Sequence, residues 1–113
     1  MVGEEVIYHH LVNLGVPTEM RGYKYLKAAI MLCLQNEEYI HSTTTVLYPE
    51  IANQYATTPA AVERNIRRAI EHVCRNTSRK VLKEYFGNAQ GDKLTNRKFI
   101  AGLVEYIKME VDR

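Results

Sequence analysis

Three arginines, Arg64, Arg67 and Arg68, fall within five residues, and Arg75 follows two turns later. At about 100° per residue they share one side of a helix with Ala60 and Glu71. Val62, Ile66, Ala69, Ile70 and Val73 share the other side. An arginine presents a planar fork of donors that matches the O6 and N7 edge of guanine, or two oxygens of a phosphate. Several such forks on one helical face suit a polyanion, above all a duplex with the helix in its major groove. Ala60 and Ala61 are small enough to let that helix enter a groove. The Thr58 hydroxyl and the first-turn N–H groups are available to a backbone phosphate. Glu63, at the edge of the face, can accept from cytosine N4 or hold Arg67 through an i,i+4 pair, and the residues alone favour the pair. The competing reading is an amphipathic helix whose arginines are only solvated.

What must position these side chains is a pair of helices over about residues 48–75. Pro49 starts the first, and Ile51, Ala52 and Tyr55 give it an apolar face. Thr58 caps the second, with Pro59 at its first position. The short turn Ala56-Thr57-Thr58 forces a steep packing angle, which is helix-turn-helix geometry. Many such turns carry glycine where this chain has Ala56, and a left-handed alanine there costs about 1–2 kcal/mol.

Helical periodicity runs through the remainder. A first helix is expected from about Gly3 to Leu14, stopped by Gly15 and Pro17, and a second from about Gly22 to Asn36 with Tyr23, Leu26, Ile30, Cys33 and Leu34 buried. Ser42 or Thr43 caps a short third ending near Tyr48, although Thr43-Thr44-Thr45-Val46 would also suit a strand. Residues 78–86 form another short helix, Asn88 to Lys93 a polar loop, and Thr95 or Asn96 caps a last helix carrying Phe99, Ile100, Leu103, Val104 and Ile107. Tyr23, Tyr48 and Tyr55 are expected to face the core, Tyr25 and Tyr39 the surface. The fold class is therefore all-α, a compact bundle of about six helices containing a helix-turn-helix.

At 113 residues, 46% apolar and 25% charged, residues 1–113 are expected to form a single domain. The net charge of +2 hides an uneven distribution: residues 59–83 carry seven basic side chains against two acidic ones, whereas residues 1–58 carry three against six. A positive block inside a near-neutral chain points to a polyanionic partner. The longest uncharged apolar run, Ala28 to Leu34, is too short to cross a bilayer, and Met-Val-Gly-Glu-Glu has no export signal. With only Cys33 and Cys74, a cytoplasmic location is expected, nucleoid-associated when bound. His9, His10, His41 and His72 show no metal-ligand spacing with each other or with the cysteines. No catalytic grouping, cofactor loop or small-molecule site stands out, so neither an enzyme nor a cofactor is expected.

The chain also resembles the C-terminal effector domain of the sporulation initiation regulator A family, from about Leu11 to Ile107. The resemblance is carried by Gly15-Val16-Pro17, Arg21 to Leu26, Val46 to Ala52, Thr57-Thr58-Pro59, Val62-Glu63-Arg64, Ile66-Arg67, Ala69-Ile70-Glu71, Phe86-Gly87, and Thr95-Asn96 with Phe99-Ile100-Ala101. It implies a six-helix domain that binds a TGTCGAA-like DNA element in tandem or paired copies at sporulation promoters. It assigns base reading to Glu63, Arg64 and Arg67, which raises Glu63 above its ranking from the residues alone. Thr58, Ala60, Ala61, Arg68 and Arg75 are left to the DNA backbone or groove. The segment after the arginine helix contacts the RNA polymerase sigma subunit in the family, so Arg79, Lys80 and Lys83 become the polymerase-contact surface. Ala61 stands where the family has a basic residue and Arg68 where it has histidine, and residues 76–84 diverge in charge. No βα-repeat of a phosphate-accepting receiver domain is in the sequence, so an excised or free-standing effector domain is expected. The diverged segment favours one alternative, an adaptor that keeps the fold and binds a protein through residues 59–83. Structured RNA is a further alternative.

Overall fold

In the computed structural model, which describes residues 3–87 and 94–112, every regular element is helical. The elements are α1 (Glu4–Asn13), α2 (Arg21–Gln35), α3 (Glu38–His41), a π-helical segment (Thr43–Leu47), α4 (Tyr48–Gln54), α5 (Pro59–Asn76), α6 (Arg79–Phe86) and α7 (Asn96–Val111). The all-α expectation holds, with seven α-helices among the described residues rather than about six. The expected loop from Asn88 to Lys93 lies outside the described residues.

Local chemistry accounts for most of the boundaries. Glu4 and Glu5 sit at the positive end of α1. Gly15 then takes φ +87°, a left-handed conformation that ends the helix. The hydroxyls of Thr58, Ser78 and Thr95 accept from the backbone N–H of Ala61, Val81 and Lys98, capping α5, α6 and α7. Between Thr95 and Asn96 the structure thus selects Thr95 as the cap.

The expected third helix and the expected burial of several side chains fail, each through tertiary or backbone context. The short third helix is not one capped by Ser42 or Thr43. Glu38–His41 forms it instead, and Thr43–Leu47 winds as a π-helical turn that runs directly into α4. Leu47 N–H reaches back five residues to the Ser42 carbonyl at 3.0 Å. Pro49 has no N–H to offer the carbonyl four residues before it, and its ring crowds that carbonyl, so the widened turn relieves the clash. Tyr25, expected at the surface, is buried, and Tyr39 is half-buried. The Tyr25 ring meets Tyr55 edge-on at 5.5 Å between centroids, so α2 carries apolar contacts on more of its circumference than one stripe. Tyr23, Leu34 and Tyr55, expected in the core, are only half-buried.

The core forms where α2 and α7 meet α5. Leu26, Ala29, Ile30 and Cys33 from α2, Val62, Ile66, Ala69, Ile70 and Val73 from α5, and Phe99, Ile100, Leu103, Val104 and Ile107 from α7 are all buried in one cluster. Fully burying a side chain of this size contributes about 1.5–3 kcal/mol, so the five apolar residues of α5 bind it firmly along one face. No polar or charged residue is buried among the described residues. Cys33 shares the core, and burial pushes its thiol up to about 11, so it stays protonated and unreactive.

Candidate nucleic-acid interface

The helix α5 is held along its buried face and at two further points. Gly22 lets α2 approach so closely that a Cβ there would stand 2.3 Å from the Asn65 carbonyl oxygen and 2.8 Å from the Ala69 Cβ. Just beyond the C-terminal end, the Thr77 hydroxyl donates to the Leu14 carbonyl at 2.6 Å, tying α5 to the turn after α1. Toward the N-terminal end, the Asn96 side-chain amide donates to the Glu63 carbonyl and to the Tyr48 hydroxyl, each at 3.1 Å. One residue of α7 thereby bridges both α4 and α5. Burial pushes the Tyr48 phenol above its ordinary pKa, so it remains a neutral hydroxyl in that bridge.

The turn between α4 and α5 has the predicted strain. Ala56 adopts φ +53°, and among the described residues it is the one non-glycine with positive φ. The Thr57 N–H reaches the Ala52 carbonyl at 2.9 Å, closing the turn. Lys24 lies 5.2 Å from the Tyr55 ring centroid, a cation–π contact that fastens α2 to the end of α4.

What this anchoring leaves outward is the basic face. Arg64, Arg67, Arg68 and Arg75 are all exposed, as are Thr58 and Ala60, while Ala61 and Glu63 are half-exposed. The Glu63 carboxylate pairs with the Arg67 guanidinium, as the i,i+4 reading expected. An exposed pair of this kind contributes little stability, but it fixes the direction of the Arg67 fork. Arg64, Arg68 and Arg75 have no carboxylate partner among the described residues. Thr58 spends an oxygen lone pair on its cap and keeps its hydroxyl proton for donation. Arg79, Lys80 and Lys83 are exposed on α6, the next helix.

The chemistry this face offers is positive charge and hydrogen-bond donation to an anion. A rigid helix displays four guanidinium groups over about three turns, with small residues at its leading end. The sequence did not reveal Asn96 or Thr77 as supports of this helix. Thr95-Asn96 read only as a cap, and nothing local connects position 96 to position 63. No group of three or more potential metal ligands is present among the described residues, and no helix there is long and apolar enough to cross a membrane.

The structure is thus an all-α domain that holds one helix along its apolar face and at both ends and turns that helix's arginines outward, the form a DNA-binding helix takes. Residues 7–107 match the sequence model of the family Sporulation initiation factor Spo0A C terminal, and the chain belongs to that family. DNA binding and transcription regulation follow from that membership.

Proposed function

We propose that this domain recognises a specific duplex sequence by seating α5 in the major groove and regulates transcription there, at sporulation-type genes with a TGTCGAA-like element. The observation that carries this reading is the outward arginine face of a helix whose opposite face is wholly committed to the core. Glu63, Arg64 and Arg67 read base edges, with Glu63 directing the Arg67 fork or accepting from cytosine. Thr58, Ala60, Ala61, Arg68 and Arg75 meet the groove wall and phosphates. Arg79, Lys80 and Lys83 on α6 offer the surface for the polymerase sigma subunit. Binding occurs as tandem or paired copies, in the cytoplasm, with no cofactor or small-molecule substrate and no enzymatic step.

Selection of preferred duplexes from a random pool, followed by titration across salt, tests this reading. A specific duplex should emerge, and Arg64→Ala or Arg67→Ala should cost about 1–3 kcal/mol on it and relax selectivity. Equal losses on specific and random duplexes would reduce those arginines to phosphate clamps. Absence of duplex binding at low salt would overturn the reading and leave the 59–83 surface to a protein partner.

A further inference from the structure

A cleft of about 710 Å³ runs along one flank of α5. Arg67 and Arg75 form one wall, and the start of α7, with Thr95 and Arg97, forms the other beside Thr44. Arg97 is exposed, and its guanidinium lies 3.5 Å from the Nδ1 of His41, itself exposed at the end of α3. Thr95 accepts the Lys98 N–H and keeps its hydroxyl proton, and Thr44 is exposed. Donors from the start of α7 and from the Thr43–Leu47 segment therefore gather across the cleft from the arginine face, on which Glu63 and Glu71 also line the cleft.

Their height along α5 is set by Asn96, which bonds the Glu63 carbonyl and so brings Arg97 level with the residues placed in the groove. A helix with its side chains is about 10–12 Å across and fills a major groove about 12 Å wide. Whatever flanks the helix at that level then faces the sugar-phosphate strand bordering the groove. We propose that Arg97, with His41 beside it, grips the phosphodiester backbone of that strand as a second contact surface for the same duplex. This inference rests on the major-groove reading of α5.

The test compares wild type with Arg97→Ala, His41→Ala, Arg64→Ala and Lys98→Ala on the selected duplex and on a scrambled one, across salt. Lys98 removes the same charge one residue away but lines a different groove, against α6. Arg97→Ala should weaken both duplexes by the same factor and make the slope of log K against log salt shallower by about 1. That change means about three- to fourfold less affinity lost between 50 and 200 mM salt. His41→Ala should move binding in the same direction by a smaller factor. Lys98→Ala should retain the wild-type slope. An Arg97→Ala variant with wild-type affinity and slope, alongside an Arg64→Ala variant that loses selectivity, overturns the second surface and leaves the groove reading intact. A loss confined to the selected duplex also overturns it, because Arg97 would then read a base. Failure of the wild type to bind either duplex overturns the groove reading itself.

Discussion

The side-chain amide of Asn96 donates to the main-chain carbonyl of Glu63 at 3.1 Å, so the first residue of α7 holds α5 at the residue beside Arg64. The same amide donates to the Tyr48 hydroxyl at the start of α4. A group belonging to neither helix thus braces the angle that the turn between them imposes. A buried or half-buried polar bridge of this kind costs more to break on one side than it contributes when whole, because the abandoned partners lose their water as well.

Asn96→Ala should lower the free energy of unfolding by about 1–3 kcal/mol in chemical denaturation. Tyr48→Phe should cost less, about 1 kcal/mol, since it removes one hydroxyl and leaves the bond to Glu63. The double variant should fall short of the sum of the two, because both act on one bridge. Strict additivity would show that the bridge does not couple α4 to α5.

Gly22→Ala should destabilise the domain despite alanine's better helix propensity. The added Cβ would meet the Asn65 backbone at 2.3 Å, and backbone on the longest helix cannot step aside cheaply. Overpacking costs about 1–3 kcal/mol, which outweighs a propensity gain of at most about 1 kcal/mol. A variant as stable as wild type would mean that α2 can move away from α5 without loss.

Ala56→Gly should stabilise. The left-handed conformation at φ +53° costs an alanine about 1–2 kcal/mol and glycine almost nothing. Glycine's larger unfolded-state entropy returns part of that gain, so an increase of about 1 kcal/mol is expected. A decrease in the midpoint of thermal unfolding would contradict the strain argument. Ala56→Val should move in the opposite direction, because a β-branched residue tolerates positive φ poorly.

The Tyr106 hydroxyl donates to Glu84 at 2.9 Å, and that bond, ahead of burial and of the Glu84 charge, pushes its pKa up to about 12. The folded chain thus holds this proton more tightly than the unfolded chain, where the phenol ionises near 10.0. The stabilisation is fully present below the unfolded value and is lost as pH rises from there to about 12. Tyr106→Phe should therefore reduce the loss of stability over that window, measured by denaturation at successive alkaline pH. An alkaline limb identical to wild type would show that the Glu84 bond does not matter to folding.

The sequence by itself determined what depends on residues within a turn or two of one another. The Thr58 hydroxyl caps the helix it precedes, and the apolar stripe of α5 runs from Val62 to Val73. The Glu63–Arg67 pair and the left-handed Ala56 were equally legible, because spacing and φ preference are local properties. What required the tertiary structure depends on which distant surfaces meet. Asn96 and Glu63 are 33 residues apart, Arg97 and His41 are 56, and Thr77 and Leu14 are 63. No periodicity encodes such pairs, since they arise only once the apolar faces of α2, α5 and α7 have packed. Tyr25 is buried for the same reason: helix pattern ranks faces by their own residues, while burial is decided by the neighbour that covers them. The arginines could be found from the chain alone, but the direction in which they point was decided by the core behind them.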